Sequence, residues 1–295
     1  MTIRLTIILF FICNATLAQK QLVVKDADTH QPLAFATAEC FEKQWGTYSD
    51  SAGRIMIGDS IWKSCAVVFS FVGYTSKSVE LHPQVHEILL TKVPHKLEDV
   101  VMKACTKFTE ENLKVTSRKN NYGFGYTPKA EGFFWATFVP NKTEKKGLIK
   151  YFSYGAKRGN VNAPIRLRFF EIDTSTGLPA NEITTEAITI VPGKVGWITE
   201  DISKYKIAVP ETGIVAAFEM FDAGRQYYFK TTVHLADKTI KEVDSYGWMI
   251  TGVQGDEVVG FGKMPGSLWF KLNSVGKRKT AAAPQVGLHV KVCKE

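Results

Sequence analysis

The chain has 295 residues, 45% of them hydrophobic, and a formal charge of +8. That length buries a sizeable core and favours about two domains. The basic residues are scattered apart from short clusters at 142–146 and 276–279, so the charge reads as solvated loop surface, and nucleic acid is excluded as a partner for a chain whose first residues mark it for export.

Those first residues are a positive Arg4, an apolar run from Leu5 to Cys13, and small residues at Thr16-Leu17-Ala18. They read as a signal peptide over 1–18, with cleavage before Gln19, because the apolar run is too short to span a bilayer of roughly 30 Å. Bulky Ile12 precedes Cys13, where lipidation wants a small residue, so no lipid anchor is expected. No later segment is long and apolar enough to cross a membrane as a helix.

From residue 19 almost every periodic segment has period two. A strand starts at Leu22-Val23-Val24, Asp26 to Pro32 is turn chemistry, and Asp50-Ser51-Ala52-Gly53 is a tight turn into Arg54-Ile55-Met56-Ile57. Cys65 to Val72 is apolar on both faces apart from Ser70, as in a central strand covered on both sides. Gly73-Tyr74 ends it. Short strands separated by turn signals suggest a sandwich over 19–103. Residues 104–121 are polar and lack alternation, with Thr109-Glu110-Glu111 able to cap a short helix, and they read as a linker. Strands resume over 122–295, and Leu288, Val290 and Val292 alternate with polar neighbours in the last of them. The expected fold class is all-β, two tandem β-sandwiches, the second jelly-roll-like.

Val23-Val24-Lys25-Asp26, Gln31-Pro32-Leu33-Ala34-Phe35-Ala36, Gly46-Thr47-Tyr48-Ser49-Asp50, Gly53-Arg54-Ile55 and Phe71-Val72-Gly73-Tyr74 occur in that order. This segment resembles the carboxypeptidase-regulatory-like domain, a small transthyretin-like β-sandwich of bacterial envelope proteins. Leu97-Glu98-Asp99-Val100-Val101-Met102 is similar to the segment that comes after that domain in TonB-linked outer-membrane receptors. The resemblance covers under a third of the chain and implies no zinc ligands, plug or barrel here. Arg166-Leu167-Arg168-Phe169-Phe170-Glu171, Thr176-Gly177-Leu178-Pro179 and Gly196-Trp197 resemble features of uncharacterised sandwich domains that lie after this module in other exported proteins.

Candidate chemistry is thin. His82 and His86 have the spacing of helical metal ligands, but Pro83 lies between them and the segment joins two strands. Ser60-Ile61-Trp62-Lys63 matches a nucleophile motif that elsewhere opens a helix, whereas here it falls between strands. Arg166 and Arg168 share one strand face, which suits an anionic ligand or, as is commoner, surface ion pairs with Glu171 or other acids. Cys40 and Cys65 lie in strand-like runs of the first domain, and Cys105 and Cys293 complete the mature set. A bridge and buried free thiols both remain open. Most aromatics serve the core, and Trp135 and Tyr227 are the two singled out as ligand contacts. No metal or cofactor is expected. The reading is a non-enzymatic, exported binding or assembly protein of the periplasm or outer membrane, its partner an envelope protein or a glycan, with a carbohydrate-binding module or an accessory hydrolase as the alternatives.

Overall fold

The computed structural model describes residues 19–93, 107–115, 122–125, 132–234, 239–272 and 281–293. The leader, His95, Cys105, Tyr126, the 97–102 segment and the 276–279 cluster lie outside the described residues. What is described is nearly all strand, in sheets that pack face to face, so the fold class is all-β. No helix among the described residues is long and apolar enough to cross a membrane.

The first sandwich holds β1 (Gln19–Asp26), β2 (Thr37–Cys40), β3 (Trp45–Tyr48), β4 (Arg54–Gly58), one helical turn α1 (Asp59–Trp62), β5 (Val67–Ser70), β6 (Lys77–Val79) and β7 (Glu87–Leu90). They form two sheets, ordered β4-β1-β7 and β3-β2-β5-β6. Alternation sends Leu22, Val24, Ile55, Ile57, Val67 and Phe69 into one apolar cluster between them. Cys40 and Cys65 are joined in a disulfide that ties the end of β2 to the entry of β5; Cys293 is disulfide-bonded as well. Asp26 caps its turn by accepting the backbone N–H groups of Asp28 and Thr29, and takes the Tyr74 hydroxyl at 2.6 Å. The Tyr74 bond, followed by those backbone donors, holds the Asp26 carboxyl down at about 2.

The second sandwich comprises β8 (Phe108–Val115), β9 (Tyr122–Phe124), β10 (Phe133–Pro140), β11 (Gly147–Gly159), β12 (Ile165–Asp173), β13 (Leu178–Glu182), β14 (Ile188–Ile190), β15 (Gly196–Asp201), β16 (Ala208–Val209), β17 (Gly213–Met220), β18 (Tyr228–His234), β19 (Ile240–Tyr246), β20 (Trp248–Gly255), β21 (Gly260–Lys263), β22 (Phe270–Lys271), β23 (Ala281–Pro284) and β24 (Val286–Cys293). One sheet runs β13-β12-β17-β10-β21-β22, with β14 beside β12. The other runs β23-β20-β11-β24-β8, with β15 and β16 on β11 and β9 on β20. Their facing sides enclose a core that includes Phe152, Tyr154, Phe169, Phe218 and Trp248.

Two sequence expectations change. The segment read as a 104–121 linker contains β8, which pairs antiparallel with β24 from Val115 opposite Val286 to Phe108 opposite Cys293. Leu113 and Val115 point inward while Glu110 and Lys114 face out. An edge strand carrying charges looks polar overall, which hid its alternation. Ser60 to Lys63 lies on and just after α1 rather than in a simple strand connection, but the Lys63 ammonium is bonded to Asp59 and sits over the Trp62 ring.

The second sheet of the first sandwich lies against the β12-β17-β10 face of the second. Strand β17 is buried at every position, with Ile214, Ala216 and Phe218 facing one core, Val215 and Ala217 facing a second cluster of the same sandwich with Phe134, Phe170 and Phe261, and Glu219 meeting Tyr48 of the first sandwich. Gly73 marks how close the approach is. It sits at φ +80°, and a methyl built on it would run into the Thr185 carbonyl of the second sandwich. Gly73→Ala is expected to cost about 1–3 kcal/mol in chemical denaturation, whereas Gly58→Ala, in open space at ordinary φ, is expected to stay within about 0.5 kcal/mol of the parent. Equal, small effects at both positions would contradict this contact.

Candidate functional site

Ionisable groups gather in the seam between the two sandwiches. Alternation on β12 puts Arg166 and Arg168 on the face turned toward the first sandwich, and the neighbouring β17 offers Glu219 directly opposite Arg166. Glu219 is fully buried. Its carboxylate takes Arg166 Nη1 at 3.2 Å, Arg168 Nη1 at 3.4 Å and the Tyr48 hydroxyl of β3 at 3.0 Å. Arg166 also donates Nη2 to the Phe35 carbonyl and lies over the Phe71 and Phe221 rings. Arg168 forks onto Glu182, with Nε to Oε1 at 2.7 Å. At the rim Lys263 pairs with Glu39 of β2 at 2.8 Å, and the same carboxylate accepts the Gly266 N–H.

Three cations thus meet three carboxylates, Arg166, Arg168 and Lys263 against Glu39, Glu182 and Glu219. Burial pushes the Glu219 carboxyl up, but Arg166, Arg168 and the Tyr48 hydroxyl outweigh it and hold the group below its ordinary value. Burial, reinforced by the charge on Glu219, drives the Tyr48 phenol well above its usual range. Burial also works against the Arg168 cation, and Glu182 and Glu219 overcome it, so Arg168 stays charged. A cavity of about 80 Å³ sits here, lined by Thr37, Glu39, Tyr48, Arg168, Lys263 and Trp269 among others. That volume suits a few waters rather than an organic substrate, for which roughly 300 Å³ or more is usual. With its charges balanced the cluster joins domains, and the one buried, unpartnered donor of its two arginines is Arg166 Nε.

Arg166 and Arg168 therefore do form ion pairs, with Glu219 and Glu182. Glu171, the partner read from sequence, instead accepts a bond from Asn181. The Arg166–Glu219 pair is buried and the Arg168–Glu182 pair half-buried rather than surface-exposed. The signal lay in β17, where Glu219 is the one charge in the apolar run Gly213 to Phe221: an acid there has to meet a buried cation.

The two aromatics singled out from sequence are apart, on β10 and in the turn before β18, and both are half-buried against the core of the second sandwich. Trp135 lies between Phe124 and Phe133, with ring centroids 5.1 and 4.3 Å away, and its indole N–H is bonded to the Gly125 carbonyl. Tyr227 packs edge-on against Tyr246. The most exposed tryptophan in the second sheet is instead Trp197 on β15, 47% exposed, on the outer face away from the seam. In Gly196-Trp197-Ile198-Thr199, Ile198 faces the core, so Trp197 and Thr199 face out; the period-two pattern contains that information. His82 and His86 are exposed in the β6–β7 turn. Among the described residues the one close grouping of metal-type ligands is Cys40, Glu42 and Cys65, and both of its sulfurs belong to the disulfide.

No family model and no curated protein matches the chain. Among solved structures, a chain from the infectious bursal disease virus Gx strain is 10% identical, aligned over 94% of this chain and 65% of the viral one, with a TM-score of 0.25. BcpA, the major pilin subunit of Bacillus cereus, is 11% identical over 94% of this chain and 95% of its own, with a TM-score of 0.17. This chain thus spans just under two thirds of the viral chain's length. At such TM-scores neither likeness carries an argument.

Glu219→Gln leaves the two arginines with a buried charge uncompensated and is expected to destabilise the protein by about 3–5 kcal/mol at pH 7. Because the folded carboxyl titrates below its ordinary 4.5, its contribution is complete above that pH and is lost as pH falls through the folded value. Denaturation of parent and variant from pH 7 down to about 3 should show the gap between them shrinking. A gap that is small at pH 7, or constant with pH, contradicts the assignment.

Proposed function

We propose that this chain is an exported envelope protein that acts by binding or assembly rather than by catalysis, with its first sandwich a carboxypeptidase-regulatory-like module. The observation that carries the reading is the seam. The buried ionisable cluster among the described residues is neutral overall, borders a cavity of about 80 Å³, and is engaged in holding two sandwiches together. A general acid or base needs an unbalanced, accessible group, and this cluster offers none. What the rigid pair presents to its surroundings is surface.

One observation favours export and another the resemblance. The Cys40–Cys65 disulfide suits an oxidising compartment, in line with the leader-like 1–18 segment. Gly53 and Gly73, the two glycines on which the resemblance of the first domain leans, both have positive φ, as the tight turns in that pattern require. The working compartment is then the periplasm or the outer membrane, and the partner an envelope protein or glycan.

Expression of the chain with its leader in a bacterial host tests the reading. Intact-mass measurement of the envelope fraction should find a chain beginning at Gln19 with Cys40 and Cys65 linked, and cross-linking in whole envelopes should yield discrete adducts. Retention in the cytoplasm with residues 1–18 attached, or a diacylglyceryl group on Cys13, would overturn export as proposed. Recovery solely as uncross-linked monomer would overturn binding.

A further inference from the structure

Beside the seam, the two sandwiches share an open groove that the buried cluster does not use. Ile55 and Ile57 point into the core of the first sandwich, so alternation leaves Arg54 and Met56 on the outer face of β4. Gln21 of β1 stands opposite Met56. These three residues and Asp50 line the groove from the first sandwich, and Asp222 lines it from the second. Its volume is about 430 Å³, within the roughly 300–1,000 Å³ of small-ligand sites, which concentrate where domains meet.

Three charges line this groove without neutralising one another. Asp222 follows Phe221, whose ring packs on Phe35 with centroids 4.7 Å apart, and this docking brings the carboxylate to the first sandwich. Its oxygens accept the Gly224 N–H at 2.8 Å and the Tyr228 hydroxyl at 2.9 Å, which fixes its orientation. Asp50 Oδ1 accepts the backbone N–H groups of Ala52 and Arg54 at 2.8 and 2.9 Å, while its Oδ2 has no partner among the described residues. The Arg54 guanidinium has none there either, although two carboxylates line the same groove. An anion would meet Arg54 and be repelled by both carboxylates. A plain cation would meet the carboxylates and be repelled by Arg54. A ligand with an ammonium and a carboxylate on one carbon answers all three charges, and Met56, 49% exposed, offers an adaptable apolar contact to a side chain on that carbon.

We infer that the groove between β4 and Asp222 is a binding site for a free α-amino acid with an apolar side chain. Arg54 forks onto the ligand carboxylate, Asp50 and Asp222 receive its ammonium, and Met56 lies along its side chain. Both carboxylates are held in place by bonds of their own, so little ordering is needed on binding. The site is complete only with the sandwiches docked, since Asp222 belongs to one and Asp50, Arg54 and Met56 to the other. It adds a small-molecule site to the proposed envelope role and does not depend on which envelope partner that role involves.

The test is isothermal titration of the mature protein with the L- and D-forms of alanine, leucine, methionine and phenylalanine, with circular dichroism as a check on folding. At least one should bind saturably. Its amide and its N-acetyl derivative should each bind roughly tenfold or more weakly, because each lacks one of the two charges. Arg54→Ala, at an exposed position, should weaken the amino acid by a similar factor and bring it level with its amide. Asp50→Asn combined with Asp222→Asn keeps oxygen acceptors for the neighbouring N–H groups and should bring the amino acid level with its N-acetyl derivative. A role confined to folding would not produce either levelling. No saturable binding by any of the eight ligands overturns the assignment. Blocked derivatives that bind as well as the parent amino acid overturn its chemistry, and variants that bind like the parent protein overturn its location. None of these results alters the cross-linking that tests for an envelope partner.

Discussion

The interaction on which the architecture turns is the meeting of the Glu219 carboxylate with Arg166, Arg168 and Tyr48 between two sheets. A fully buried carboxylate in the middle of an apolar strand is tolerable only if opposite charge and hydrogen bonds replace the water it loses. Two of its partners come from the adjacent strand of the same sheet, and the third, Tyr48, comes from the other sandwich. The charge is balanced within the second sandwich, and the carboxylate's hydrogen bonds are completed when the domains are docked. Apolar residues of similar volume hold a seam together about as well. What the polar network adds is register, because Glu219 has one position in which Tyr48 reaches it, and the Phe35 carbonyl has one in which it meets Arg166.

Around that network the seam is closed by shape. The β21–β22 turn folds over the first sandwich, placing the Gly266 N–H on Glu39 and its α-carbon against the Trp45 backbone, at a positive φ that glycine adopts without strain. Gly73 presses the Thr185 backbone from the other direction. The mixture of aromatic rings and guanidinium groups, with Arg166 over Phe71 and Phe221 and Arg168 over Phe134 and Phe170, lets the same side chains supply charge and apolar contact.

How much of this is legible in the sequence depends on how local its signal is. Strand period and turn glycines are local: the both-face apolar run before Gly73 is β5, whose Val67 and Phe69 face its own core while Ser70 lines the seam cavity. The strand at 108–115 was obscured because its charged face dominates the composition and its partner β24 is over a hundred residues away. The pairing of Arg166 with Glu219 spans 53 residues, and nothing near either residue names the other, though a lone acid in an apolar strand announces that a partner exists. The aromatic candidates failed to separate for a similar reason. Trp135 and Trp197 both sit in alternating strands, and only the packing of both sheets shows that the first is wedged between rings and the second lies open.

If the seam welds the sandwiches, they open together. Native-state hydrogen exchange measures this most directly, by comparing the slowest amides of the first sandwich, such as Ala38 and Phe69, with those of the second, such as Phe169 and Phe218. Welded domains give the two sets one opening free energy and one dependence on denaturant, because the first cannot open without exposing the charges of the second. A first sandwich whose amides exchange through a separate opening, of lower free energy and smaller denaturant dependence, would show that the buried charges do not couple the domains.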